Sequence, residues 1–149
     1  MASKLHDYQT FDPHDWPFFW MTQAVGRYLQ KLERALKQEG LDVSRWRALM
    51  CVGDGKLGVS EIADMAIVKL PTMLKIIQRM EAEGLVICEA RENDGRFTDV
   101  SLTDRGQEAR LRAWQIANAL YDRAFRDVAH ERQFELNATL REVFAKLGD

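Results

Sequence analysis

A mainly α-helical fold with one small β-hairpin is predicted by three features of the 149-residue chain. Apolar residues recur at spacings of three and four over most of its length. A single stretch around Asn93-Asp94-Gly95 switches to period two, and the chain's three prolines and most of its nine glycines fall between the periodic segments or at their ends. The composition, 46% hydrophobic and 30% charged, excludes collagen-like and disordered chains and leaves a folded domain with one core. No uncharged apolar run approaches the roughly 18 residues a membrane helix needs, so no membrane partner is expected. The N-terminal residues lack the pattern of a signal peptide, which makes the cytoplasm the expected compartment. A net charge of −2 excludes a bulk polycation, so any contact with nucleic acid must be local.

Residues 1–14 have no period and read as an arm. A first helix is expected over 15–40, because Trp16-Pro17 places proline in the first turn and Met21, Val25, Tyr28 or Leu29, Leu32 and Leu36 recur down to Gly40. Ser44 is positioned to cap a short helix, Arg45 to Val52, closed by Gly53-Asp54-Gly55. Ser60 is positioned to cap another, ending near Ala66. Leu70-Pro71 marks the next start, and Met73, Ile76, Ile77 and Met80 form one stripe of a helix that Gly84 ends. Leu85 to Ala90 and Phe97 to Leu102 read as two strands joined by a six-residue turn, Arg91 to Arg96. Thr103 is positioned to cap a helix of about 25 residues, about 38 Å long, running to Val128. A last helix carries Phe134, Leu140, Val143, Phe144 and Leu147.

Short helix, short helix, third helix and hairpin make a helix-turn-helix followed by a wing. Such a unit offers DNA a helix for the major groove and a ribbon beside it. Pro71, Thr72, Leu74, Lys75, Gln78 and Arg79 face away from the apolar stripe, and no acidic residue lies between Lys69 and Met80. Arg96 sits at the hairpin turn, where a long cation suits a narrow minor groove. Singly, each of these side chains is an ordinary solvated residue; their joint placement on helix face and wing points to double-stranded DNA.

Residues 59–106 carry Ile62-Ala63, Thr72, Arg79-Met80-Glu81, Gly84-Leu85-Val86, Asp94-Gly95-Arg96, Val100-Ser101-Leu102-Thr103 and Gly106. In these motifs the chain resembles the MarR family of transcriptional regulators. The resemblance implies a winged helix-turn-helix lobe over 41–103, with 15–40 and 104–149 as long N- and C-terminal dimerisation helices. It places Thr72, Lys75 and Arg79 on the recognition helix and Arg96 on the wing, with Asp94 orienting the wing through an arginine. Pro71 and Leu74 depart from the family pattern of small or polar residues and suit apolar contact with thymine methyls. The turn glycine usual before the recognition helix is replaced by Ile67.

A helix of about 38 Å is too long for one winged unit to cover, so a homodimer reading an inverted-repeat operator is expected. Tyr8, Phe11, Trp16, Phe18, Phe19 and Trp20 concentrate six of the fourteen aromatic residues beside the first helix. Such a cluster suits an interface or core. Its functional alternative is an effector pocket lined by Trp20, Trp46 and Met50, in which Gln23, Arg27 or Arg45 holds a carboxylate. The family resemblance implies a small aromatic acid, phenolic or aryl-CoA thioester, as effector, and repression as the sign of control. Cys51 and Cys88 have no evident activating base, although thiol-based redox sensing is an alternative. No pair of His or Cys residues has ligand spacing, so no metal or other cofactor is expected. An enzyme is not indicated, since no nucleophile and base or clustered carboxylates stand out. The remaining rival is a winged helix used for protein contact without sequence-specific DNA binding.

Overall fold

The computed structural model describes residues 7–148, so the first six residues of the expected arm lie outside the described residues. Six helices, α1 (Pro17–Lys37), α2 (Val43–Val52), α3 (Val59–Ala66), α4 (Leu70–Ala82), α5 (Asp104–Ala124) and α6 (His130–Lys146), surround a sheet of β1 (Leu57–Gly58), β2 (Val86–Arg91) and β3 (Asp94–Leu102). The core gathers Leu32 and Leu36 of α1, Ala48 and Leu49 of α2, Ile62 of α3, Met73, Ile77 and Met80 of α4, and Val100 of β3. Against them α5 presents Ala109, Ala113 and Ala117, a stripe of small side chains that lets the long helix approach closely.

The first helix starts later than expected, because Asp12 caps a separate 3-10 turn, Pro13–Asp15, by accepting the His14 amide at 2.9 Å. Gly40, at φ 69°, closes α1, with Gly40 N donating to Lys37 O at 3.1 Å and Leu41 N to Leu36 O at 3.0 Å. α2 is capped by Asp42 rather than Ser44. Its carboxylate accepts the Arg45 amide at 2.8 Å, which moves the start forward to Val43. Ser60 likewise lies inside α3, which begins after Gly58 without a side-chain cap.

The sheet order is β1-β3-β2, both pairs antiparallel, with Leu57 opposite Val100 and Cys88 opposite Val100 on its other side. The hairpin turn is two residues, Glu92 and Asn93, rather than six. Ladder pairing continues through polar positions that the apolar alternation does not mark, reaching Arg91 opposite Asp94 after an irregularity at Ala90/Arg91. Arg96 therefore sits on β3, as the third residue past the turn.

α5 ends at Ala124, giving 21 residues instead of 25. Phe125 and Val128 keep helical spacing across a break at which Asp127 adopts φ 66°. Thr103 caps α5 as expected, accepting the Gly106 amide at 3.0 Å while its hydroxyl donates to Gly84 O at 2.6 Å. α6 buries none of its residues.

Two backbone positions generate predictions. A Cβ at Gly106 would stand 2.0 Å from Leu85 O, so Gly106→Ala should cost about 2–3 kcal/mol, read as a lower urea midpoint. Ile67, at φ 56° and ψ 50°, takes the left-handed closing position of α3 that favours glycine. Relief of that strain exceeds glycine's extra entropy cost, so Ile67→Gly should raise stability by about 0.5–1 kcal/mol in the same assay.

Candidate DNA-binding face and ligand cavities

α4 buries Met73, Ile77 and Met80 and leaves Pro71, Thr72, Leu74, Lys75, Gln78 and Arg79 exposed. Pro71, Lys75 and Gln78 form its outermost ridge, with Leu74 on one flank and Thr72 and Arg79 on the other. Lys69, Lys75 and Arg79 make this surface locally cationic within a chain of net charge −2. The turn before it is apolar, with Met65, Ile67 and Leu70 exposed beside Leu74. Ile67 is the most open of these, at 88% exposure, and Val68 N donates to Ala63 O at 2.9 Å beneath it.

The wing is set by two ion-pair groups. Arg96, 85% exposed along its side chain, is gripped through two nitrogens by Asp94, Nε at 3.0 Å and Nη2 at 2.8 Å. Those hydrogen bonds hold the Asp94 carboxyl below its ordinary range, so both charges persist at neutral pH. Beside the hairpin turn Arg91 donates from Nε to Asp99 at 3.0 Å and from Nη2 to Glu61 of α3 at 3.0 Å, with its guanidinium 5.1 Å from the Phe97 ring centre. Arg91 thus fastens the wing to the helix-turn-helix. Neither Arg91 nor Glu61 stood out in the sequence, because a pair thirty residues apart leaves no local pattern.

Arg45 departs from its expected place as a ligand-holding cation. Its residue is only 7% exposed, and it lines neither large cavity. Nη1 donates to Glu83 Oε2 at 2.6 Å and Nε to Asp42 Oδ2 at 3.3 Å. Both carboxylates are close enough to offset the desolvation of a buried guanidinium, which explains why it turns inward. Glu83 also accepts Arg79 Nε on its other oxygen at 3.0 Å. Arg47, two residues from Arg45, donates to Ala66 O at 3.2 Å, at the end of α3.

The other expected ligand contacts fall into two adjoining open clefts between α1 and α5. The first, of about 510 Å³, is lined by His14, Phe19, Trp20, Gln23, Arg27, Lys31 and Arg123. It includes three cations and no acid, and among the described residues Arg27, Lys31 and Arg123 form no ion pair. Trp20 Nε1 donates to His14 O at 2.7 Å, tying the preceding segment across the mouth of this cleft. The second, of about 650 Å³, is apolar, with Trp46 and Met50 of α2 facing Trp114, Tyr121 and Phe125. Ala24, Tyr28, Leu120 and Ala124 form a wall common to both.

Both cysteines are free and half-buried. Burial pushes the Cys51 thiol up despite the nearby Arg47 cation. Burial, with a hydrogen bond to Glu81 and its negative charge, pushes Cys88 up to about 11. Neither thiol has the lowered pKa of a redox sensor. Among the described residues no helix is long and apolar enough to cross a membrane, and no three potential metal ligands cluster.

No family model matches the chain. It is 38% identical over 138 residues to the HTH-type transcriptional repressor IacR of Pseudomonas putida, covering 92% of this chain and 83% of that protein. Its fold matches a MarR-family regulator from Silicibacter pomeroyi with a TM-score of 0.85 at 24% identity, over 95% of this chain and 96% of the other. It also matches CouR from Rhodococcus jostii RHA1 bound to p-coumaroyl-CoA, with a TM-score of 0.80 at 20% identity over 89% and 94% of the two chains.

The raised thiol of Cys88 predicts slow alkylation. At pH 7.5 iodoacetamide should label it about two orders of magnitude more slowly than a free thiol, since the thiolate fraction is that much smaller. The rate should climb about tenfold per pH unit towards pH 11. Labelling at the rate of a free thiol at pH 7.5 would show an activated cysteine.

Proposed function

The chain belongs to the MarR family of transcriptional regulators, and from that premise we propose that it is a cytoplasmic, homodimeric repressor released from an inverted-repeat operator by an aromatic acid or its thioester. The observation that carries the DNA reading is the acid-free face of α4, where Lys75, Gln78 and Arg79 stand exposed, flanked by a wing that projects Arg96. Lys75 and Arg79 supply phosphate contacts, Gln78 a donor and acceptor for a base edge, and Pro71, Thr72 and Leu74 small or apolar contacts with thymine methyls. Asp94 holds the Arg96 guanidinium through Nε and Nη2 and leaves Nη1 for the minor groove.

The dimer reading rests on α6, where Phe134 and Phe144 are 69% and 79% exposed in a helix that buries nothing. Two such apolar side chains withdrawn from water contribute about 3–6 kcal/mol, which favours a second copy of the same helix as cover. A two-fold dimer then presents two α4 helices to major grooves about 34 Å apart.

The two clefts support the effector class. The apolar one, between Trp46 and Trp114, suits an aromatic ring, and the adjoining one offers Arg27, Lys31 and Arg123, with Gln23, to a carboxylate or to the phosphates of a thioester's carrier. CouR, similar in fold, is bound to a ligand of that kind. A ligand that binds the DNA-incompetent spacing better than the competent one shifts the population off the operator.

The test is a titration of the chain's own upstream DNA with the purified protein, at several salt concentrations, with and without phenolic acids and aryl-CoA thioesters. A shift released by one compound is expected; binding to no duplex at low salt by folded dimer would transfer the chain to protein docking. Arg96→Ala should weaken DNA binding and flatten the salt slope by about one unit. Arg27→Ala should leave DNA affinity unchanged and raise the effector concentration for release about tenfold or more.

A further inference from the structure

Three consecutive residues of α2 reach three different places. Arg45 points inward to Glu83, at the C-terminal end of α4. Trp46 lines the apolar cleft with Met50, one turn further on. Arg47 donates to Ala66 O, where α3 ends and the turn into α4 begins. One helix therefore holds the helix-turn-helix at both ends of its second half while lending its opposite face to the cleft wall.

Glu83 is shared. One oxygen accepts Arg45 at 2.6 Å and the other accepts Arg79 Nε at 3.0 Å. The buried partner cannot swing into solvent, since its side chain is 9% exposed and its Nε is engaged by Asp42. The outer partner is 65% exposed, and engagement through Nε leaves the two terminal nitrogens of Arg79 directed away from the carboxylate. The buried arginine thus fixes the carboxylate, and the carboxylate fixes how the exposed arginine is presented.

We propose that Arg45 and Glu83 are positioning residues for DNA recognition, through which a displacement of α2 at the Trp46–Met50 wall is passed to Arg79. The inference rests on the DNA-binding reading above, and it deepens it by assigning the link between cleft and DNA face to one carboxylate. Arg47 acts in parallel, because movement of α2 also draws on the Ala66 carbonyl at the start of the turn. Packed elements joined by charge-assisted bonds move as units, so a shift that α2 makes against α5 is transmitted rather than absorbed.

The experiment is a double-mutant cycle on DNA affinity, using a duplex selected from a random pool by the wild-type protein and read by fluorescence anisotropy. Met50→Trp fills the cleft from the α2 side without any added ligand, and Glu83→Gln removes the shared charge. Met50→Trp is expected to weaken binding at least tenfold in the wild-type background and less than threefold beside Glu83→Gln. Equal factors in both backgrounds, or no effect of Met50→Trp in the wild type, would overturn the proposal while leaving DNA binding intact. Coupling seen in melting temperature alone would also overturn it, since that is what a purely structural ion pair produces. If circular dichroism shows Met50→Trp unfolded, Met50→Phe, a smaller filling of the same wall, takes its place in the cycle under the same criteria. Failure to select any duplex would overturn the DNA reading itself, and this inference with it.

Discussion

The architecture hangs on a single junction where the third helix of the DNA-reading lobe gives way to the sheet and the sheet gives way to the long fifth helix. Thr103 is its pivot. Its amide donates to Leu85 O at 3.1 Å and its hydroxyl to Gly84 O, while the same hydroxyl caps α5 through Gly106 N. Gly84 turns left-handed at φ 75° to release the chain from α4, and Gly106 lets α5 lie on the Leu85 carbonyl where no side chain has room. Every other relationship in the molecule, between the exposed face of α4, the wing and the clefts along α5, inherits its geometry from this close approach.

From that junction the electrostatics divide into two regimes. No acid lies between Lys69 and Met80 of the α4 segment, yet three exposed or half-exposed arginines are each oriented by carboxylates: Arg79 by Glu83, Arg96 by Asp94, and Arg91 by Glu61 and Asp99. This arrangement reconciles a net charge of −2 with a cationic face, because the acids lie beside or beneath the cations and reduce their freedom of rotation more than their reach. The cleft cations follow the opposite rule. Arg27, Lys31 and Arg123 gather without an acid in the lining, a costly arrangement for an isolated surface and a suitable one for an anionic guest.

Much of the fold was legible in the sequence because its signals are local. The stripe of Met73, Ile77 and Met80, the proline after Leu70 and the threonine before Asp104 each specify an element by themselves. Where the reading failed, the deciding interaction left no mark in the apolar pattern. Asp42 accepts the Arg45 amide and starts the helix at Val43, which places Ser44 inside it, and β1 is only two residues long, defined by pairing with β3 more than forty residues away. The exposed row of α4, Pro71, Thr72, Leu74, Lys75, Gln78 and Arg79, was legible for the same reason α4 was. Arg45 was not, since a helical wheel gives its direction and not the partners, Asp42 and Glu83, that make burial tolerable. The cleft residues separated into two compartments because Trp20, Gln23 and Arg27 lie on α1, whereas Trp46 and Met50 lie on α2, and their division by Tyr28 and Leu120 follows from helix crossing.

The apolar turn ahead of α4 has a thermal consequence. Met65, Ile67, Leu70 and Leu74 expose apolar area to water beside the cations Lys69, Lys75 and Arg79. Association that covers them releases this water, and with it comes a negative heat-capacity change that a purely ionic contact lacks. The enthalpy of complex formation then falls as temperature rises, and affinity passes through a maximum instead of varying monotonically. Four exposed aliphatic side chains thereby give a charge-driven surface the temperature signature of a hydrophobic one.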